Sequence, residues 1–387
     1  MKNSDICCNF RNQRILWSAI ARPKSLAILR PPDARRDWWR PPDPARRVIF
    51  QGVTPLSTPD YDVLGIGNAI VDILAHAEDS FLSQEGLEKG AMALVDAERA
   101  GELYAKVGPA VECSGGSAAN TIAGLASLGA KGAFIGKVRD DQLGNVFRHD
   151  ITSLGVAFDT TAATDGPPTA TSLVLVSPDA ERTMQTYLGA CVDLGPDDIS
   201  EDQVAAAAIT YLEGYLWDPP AAKQAFVKAA DIAHAKGRKV SLSLSDPFCV
   251  DRHRADFQDL VAGHVDILFA NEEEIVSLYQ ASEFDEALQA VRGHCDIVAL
   301  TRGAQGCVVI AGEEVHIVDA EPIERLVDTT GAGDAYAAGF LFGLSRGDDL
   351  ARCAHIGNVA ASEVIQHLGA RPDRPLKELV DARLGVT

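Results

Sequence analysis

Leu326-Val-Asp-Thr-Thr-Gly-Ala-Gly-Asp334 runs without a break into Ala335-Tyr-Ala-Ala-Gly-Phe-Leu-Phe-Gly-Leu344, and the rest of the chain becomes readable from this stretch. Small residues at Gly331, Ala332 and Gly333 let the backbone turn tightly, so that successive N–H groups point one way. The apolar run behind them reads as a helix whose positive N-terminal end reinforces those donors. The result is an anion cradle. Asp334 falls in the first turn beside it, where a carboxylate repels phosphate unless a proton or a metal mediates. As a base it makes sense: a hydroxyl held between Asp334 and a phosphoryl group in the cradle loses its proton as it attacks, while the N–H groups absorb negative charge. By themselves the four residues Gly331 to Asp334 also describe a loop with a capping aspartate at a buried helix.

Upstream, Tyr61-Asp-Val-Leu-Gly-Ile-Gly67 is a short apolar run ending in glycines, the pattern of a buried first strand. Similar runs recur at 132–135, 207–212, 239–244, 267–270, 297–301 and 307–311, with helical patterns at 118–128, 220–236, 257–263, 272–279 and 283–294. Strand and helix alternate over about 250 residues, which calls for an α/β fold with a mostly parallel sheet covered on both faces by helices. Residues 73–95 and 169–188 break the alternation. In the second, Ala170 to Ser177 and Arg182 to Tyr187 read as two strands about a polar turn, a hairpin suited to act as a lid that excludes water from phosphoryl transfer.

With 47% hydrophobic and 23% charged residues the chain has ordinary globular composition. A net charge of −20 argues against nucleic acid as the main partner, and no apolar run reaches the ~20 residues of a membrane span. The eight cysteines are scattered, without CxxC pairs or zinc spacing, and read as reduced core residues of a cytoplasmic protein. Residues 1–58 differ from the rest: they hold 11 Lys and Arg against 4 Asp, a surplus of seven, which leaves the remainder at −27. Proline, arginine and tryptophan interrupt any period there. The expectation is a disordered or spurious N-terminal extension, without a proper signal peptide, ahead of a single domain at 59–387.

Further constellations stand at the ends of the apolar runs. Ser114-Gly115-Gly116-Ser117-Ala118-Ala119-Asn120 permits close backbone approach and aims an amide at whatever the loop faces. Asp72, after Gly67-Asn68-Ala69-Ile70-Val71, falls where sheet crevices bind ligands, and its carboxylate suits two neighbouring sugar hydroxyls. Asn271-Glu-Glu-Glu274 satisfies capping and dipole preferences at a helix start. Equally, Asn271 and Glu274 share one helical face and could organise water around Mg²⁺. Thr301-Arg-Gly303-Ala-Gln-Gly306 is a strand-to-strand turn able to present backbone to a nucleotide. Arg182 on the hairpin either reaches the transferring phosphate when the lid shuts or faces solvent. No P-loop, HRD/DFG set or GxGxxG after the first strand occurs, which leaves NTPase, protein-kinase and dinucleotide-dehydrogenase readings unsupported.

In order, the Gly-Gly-x-x-x-Asn, Asn-x-x-Glu and Asp-Thr-x-Gly-Ala-Gly-Asp elements resemble the ribokinase-like, or PfkB, family of carbohydrate and nucleoside kinases, from about Tyr61 to the C-terminus. The resemblance implies a three-layer α/β/α sandwich with a mostly parallel central sheet and a small β-sheet lid, ATP as donor and Mg²⁺ on the nucleotide. By the family pattern Asp334 is the base, Gly331, Ala332 and Gly333 the anion hole, Asn271, Thr301, Gly303, Gly306 and Asn358 the ATP side, and Glu274 a water-mediated Mg²⁺ contact. Asp328 and Thr330 look like part of a monovalent-cation loop, which makes K⁺ a candidate activator. The segments GNAIVDI, Ser243-Leu-Ser-Asp-Pro-Phe248 and Asp266-Ile-Leu-Phe-Ala-Asn-Glu272 resemble adenosine kinases more than ribokinase or fructokinase. Carried over by motif, Asn68, Asp72, Gly115, Gly116 and Asn120 hold a ribose whose 5′-hydroxyl points at Asp334, and Tyr215 is one candidate to stack on a base.

Three readings follow. One is phosphorylation of a purine nucleoside, adenosine foremost, at its 5′-hydroxyl. The second keeps the chemistry with a free sugar such as ribose or fructose. The third is a non-catalytic ligand-binding protein, which an intact Asp334, glycine loop and Asn271/Glu274 pair argue against. Monomer and homodimer both stay open, because a β lid has an edge free to pair.

Overall fold

The computed structural model describes residues 58–179 and 181–385. The N-terminal extension expected at 1–58 therefore lies, except for its last residue, outside the described residues.

Among the described residues the strands, in chain order, are β1 (Tyr61–Ile66), β2 (Ile70–His76), β3 (Met92–Leu94), β4 (Ala110–Gly115), β5 (Gly132–Ile135), β6 (Ala170–Val176), β7 (Arg182–Tyr187), β8 (Ala207–Glu213), β9 (Lys239–Ser243), β10 (Ile267–Asn271), β11 (Ile297–Thr301), β12 (Cys307–Ala311) and β13 (Glu314–Val318). Eight of them form a central sheet in the order β13-β12-β11-β10-β9-β8-β1-β5. From β11 to β5 the pairing is parallel, while β12 and β13 add an antiparallel edge. Val63, Leu64 and Ile66 in β1 are fully buried, which is why that strand reads as a continuous apolar run. Val63 shares one core with Ile122, Tyr336 and Phe340. On that side lie the helices Ser117–Ser127, Ala332–Arg346 and Leu350–Val364; Glu201–Ala206 and Pro220–Ala235 pack against β1, β8 and β9 as a second group. This is a ribokinase-like α/β sandwich.

The remaining strands form a second sheet, β3-β7-β6-β2-β4, in which β6 and β7 are the antiparallel hairpin expected at 170–187. The small sheet recruits one strand, β4, from the segment read only as the glycine loop. It also relocates Asp72. That residue does not end a strand of the main sheet but lies on β2, opposite Cys113 of β4. Chain order alone could not reveal this, because Gly67 to Ala69 is a bend that carries the backbone out of one sheet and into the other.

Several helices not picked out from the sequence appear in the structure, Asp79–Glu85, Ala97–Lys106 and Gln142–Ser153 among them. Helix Pro247–Gly263 begins ten residues earlier than the sequence reading, with a non-helical His253 inside it that interrupts the apolar repeat. No helix among the described residues is long and apolar enough to cross a membrane.

Candidate active site

The carboxyl ends of β1, β8, β10 and β11 open into a cleft of about 1770 Å³ roofed by the second sheet. Asp334 and Asn120 from the helices, Asp72 from the lid, and Asn271 and Thr301 from the central sheet all line it.

The cradle is a helix start. Gly331 caps Ala332–Arg346 with φ +77°, a conformation that favours glycine, and a Cβ there would lie 2.6 Å from the Ala370 carbonyl oxygen. Within the first turn Ala332 N–H donates to Thr329 O and Ala335 N–H to Gly331 O. The amides of Gly333 and Asp334 have no helical carbonyl ahead of them to bond. A Cβ at Gly333 would meet nothing within 4 Å: it would stand in the cradle itself. The residues thus fit a phosphoryl group.

Asp334 accepts hydrogen bonds from Ser117 Oγ at 2.6 Å and Asn120 Nδ2 at 3.3 Å. Burial pushes its carboxyl up to about 6, against the pull of those two donors. A carboxylate poised there is ionised at neutral pH and still basic enough to take a proton. Ser117 is a partner the sequence reading quoted without assigning a role. It reaches the base because Gly116, with φ +95°, turns the chain into helix Ser117–Ser127 against the Asn68 carbonyl oxygen, 2.1 Å from where a Cβ would be.

Asp72 faces the same space, its carboxyl also pushed up to about 6 by burial, with Arg371 and Arg182 opposing that rise. Gly115 makes room for it, since a Cβ at 115 would fall 2.2 Å from Asp72 Oδ2. Gly115 lies behind the carboxylate and is not itself on the cleft wall, whereas Asn68, Gly116 and Asn120 are.

Asn68 depends on a residue that sequence reading missed. Glu213, 1% exposed at the end of β8, accepts from Asn68 Nδ2 at 2.6 Å, Asn68 N at 3.3 Å and Ala118 N at 2.8 Å. Burial pushes its carboxyl up to about 7. The one signal for it was a carboxylate closing the apolar run at 207–212. Arg371, which reaches Asn120 from the C-terminal segment, had no signal at all.

On the opposite side of the cleft, Asn271 and Glu274 form a reciprocal capping box: Asn271 N and Nδ2 donate to Glu274 at 3.0 and 2.7 Å, and Glu274 N donates to Asn271 Oδ1 at 2.8 Å. This is the capping reading of the pair; the box fixes two groups on the cleft wall, and burial pushes Glu274 up to about 7. Thr301 pairs with Asn271 across β10 and β11, Gly303 and Gly306 shape the turn into β12, and Asn358 Nδ2 donates to Asp319 O at 2.8 Å. All four line the cleft, as does Tyr215. Among the described residues no group of three or more His, Cys, Asp and Glu is arranged to hold a metal ion.

Arg182 is neither solvent-facing nor free. It is 9% exposed and ion-paired to Asp328, so reaching a phosphate would require that pair to part. Asp328 also accepts from Thr330 N at 3.0 Å and Gly369 N at 3.1 Å. Its carboxylate is occupied by a guanidinium and two amides, which a K⁺ ion at Asp328 and Thr330 would have to displace in part.

A buried carboxylate beside a helix start with unbonded amides, and a second buried carboxylate across a roofed cleft, fit a phosphotransferase acting on an alcohol group. The chain belongs to the pfkB family of carbohydrate kinases, whose family model matches residues 91–377. It is similar to a probable sugar kinase from Rhizobium etli CFN 42, at 50% identity and a TM-score of 0.81 over 85% of this chain and 100% of that one. It is similar too to the adenosine kinase from Sinorhizobium meliloti, at 53% identity and a TM-score of 0.79 over 83% and 99% of the two chains. The ATP-dependent ribose-1-phosphate kinase of Halopiger xanaduensis is 31% identical over 67% of this chain and 83% of its own length.

Proposed function

We propose that this kinase phosphorylates the 5′-hydroxyl of a purine nucleoside, adenosine foremost, from MgATP. The observation that carries the reading is the chemistry of the roof. Along β2 the cleft-lining residues change from Asp72 to Leu74: level with Asp72 the lid offers Cys113, Ser172, Thr186 and Leu94, and the next row, Val111, Leu74, Val174, Met184 and Met92, is wholly apolar. Leu94 is 50% and Val111 66% exposed as the lid stands. A free hexose or pentose would press hydroxyls against that apolar wall without partners, at a cost per group of roughly 1–3 kcal/mol. A flat base buries its faces there while its ribose hydroxyls meet Asp72. Similarity to an adenosine kinase at 53% identity supports the same acceptor.

In this reading Asn68, Asp72, Gly116 and Asn120 orient the ribose, with Gly115 making room for the Asp72 carboxylate, and Asp334 takes the 5′-hydroxyl proton as the oxygen attacks in line. The charge that develops falls to the amides of Gly331, Ala332 and Gly333, of which Ala332 has first to release or share its bond to Thr329 O. ATP lies along Asn271, Thr301, Gly303, Gly306 and Asn358. Mg²⁺, when bound with the nucleotide, would neutralise phosphate charge, and Glu274 would be the residue that holds it through water. Arg182 ties the lid strand β7 to the loop ahead of the cradle through Asp328, so lid position and cradle geometry are linked. Asp328 and Thr330 remain the candidate K⁺ loop. Six free thiols among the described residues fit a reducing, cytoplasmic setting.

A free sugar is the alternative acceptor, favoured by the similarity at 50% identity to a probable sugar kinase. ADP release from MgATP with adenosine, inosine, guanosine, ribose and fructose in parallel decides between them. Turnover with ribose or fructose and none with the nucleosides would overturn the nucleoside reading.

A further inference from the structure

Beside Asp72 and Asp334 stands an arginine that the chemistry above does not use. Arg371 lies on the segment between helices Leu350–Val364 and Leu376–Leu384, and its side chain is 19% exposed. Its Nε donates to Asn120 Oδ1 at 3.2 Å and its Nη1 to Asp150 Oδ2 at 3.2 Å. That Asp150 oxygen also accepts from Ser114 N at 2.8 Å and Ser114 Oγ at 2.5 Å. Two prongs of the fork are thus taken. The third, Nη2, is buried with no hydrogen-bond partner among the described residues, and Arg371 lines the cleft.

We infer that Arg371 is an acceptor-binding and specificity-determining residue: the acceptor draws the guanidinium toward the cleft, where the unpartnered Nη2 donates to a ring hydroxyl of the sugar beside Asp72. The inference rests on the kinase reading above. A buried donor of a guanidinium is costly to leave unpaired, and a group that completes it is recognised correspondingly well. The fork also explains the Asn120 amide: Arg371 claims its oxygen, so its NH₂ is the end presented to Asp334. The ligand group is a neutral hydroxyl. Asp150 is bonded to the guanidinium, Asp72 acts on it electrostatically and Asp334 lies across the Asn120 amide, so a phosphate on the acceptor would meet carboxylates there.

The test is a cycle of kcat/KM values for wild type and Arg371→Met with adenosine, 2′-deoxyadenosine and 3′-deoxyadenosine, and with ribose and 2-deoxyribose. Arg371→Met should lower kcat/KM for the hydroxylated acceptor about 10- to 100-fold, chiefly through KM, and leave KM for ATP within about twofold. One deoxy acceptor should cost the wild type a similar factor and the variant less than about threefold, because the partner is already gone. Equal losses on every acceptor, with no such coupling, would reduce Arg371 to a structural role and overturn the inference. The wild-type values alone decide between nucleoside and sugar, whereas the coupling decides Arg371 on whichever acceptor is turned over. Thermal unfolding checks the variant's fold. If Arg371→Met fails to fold, Arg371→Lys, which keeps the charge and loses the fork, carries the same cycle.

Discussion

Replacing Asp334 by Asn separates the chemistry of the base from the cost of burying it. The carboxyl is raised from its ordinary 3.8 to about 6, so the folded state binds the proton more tightly than the unfolded chain. Between those two values the native state holds more protons, and stability falls as pH rises. Above pH 6 both states are ionised and the full penalty applies. At 1.36 kcal/mol per unit the shift of about two units sets a ceiling near 3 kcal/mol, lowered by the solvent that reaches a carboxylate on a cleft wall. An asparagine carbonyl can accept from Asn120, and the Ser117 hydroxyl can turn to accept from the new NH₂, so neither partner is stranded. The variant should be more stable than wild type at pH 8, by up to about 3 kcal/mol, and the gain should vanish near pH 4. Its kcat should fall about 10²- to 10⁴-fold, the usual worth of a general base. Urea unfolding at pH 4, 6 and 8, with ADP release on the same samples, reads both. A kcat within tenfold of wild type would refute the base assignment. A stability difference independent of pH would refute the burial argument.

Other perturbations address the rest of the cleft. Gly333→Ala puts a methyl group where the cradle is open, so stability should hold or rise by up to about 1 kcal/mol while turnover falls at least about tenfold, measured by urea unfolding and ADP release. Arg182→Met strands Asp328, 6% exposed, with two amides alone and should cost about 3–5 kcal/mol; Arg182→Met combined with Asp328→Asn should recover much of it, as equilibrium unfolding would reveal. Glu213→Ala frees Asn68, so KM for the acceptor should rise about tenfold with KM for ATP unchanged in steady-state kinetics. Asp72 and Asp334 are both pushed up to about 6, so kcat/KM for the acceptor should drop below pH 6 with a slope approaching two; Asp72→Asn should reduce that slope to one.

Local signals reach only as far as local structure. The strand and helix alternation, the hairpin at 170–187 and the helix opening at Gly331 were legible because period, turn chemistry and glycine content act within a few residues. So was Asp334, whose neighbours in sequence form its anion cradle. The capping box of Asn271 and Glu274 was legible for the same reason. What surrounds the base was not. Ser117 and Asn120 lie more than 200 positions from Asp334, Arg371 lies 251 from Asn120, and Glu213 lies 145 from Asn68. A side chain's burial and partners depend on which distant segments the two sheets bring over it, and burial is what lifts Asp72 and Asp334 to about 6. The sequence by itself determined the class of fold and the glycine-led helix start in whose first turn Asp334 sits. Only the tertiary structure decided that Asp72 belongs to the lid, that Arg182 is held by Asp328, and that an arginine from the C-terminal segment is bonded to Asn120, because long-range contacts leave no periodic trace in the chain that makes them.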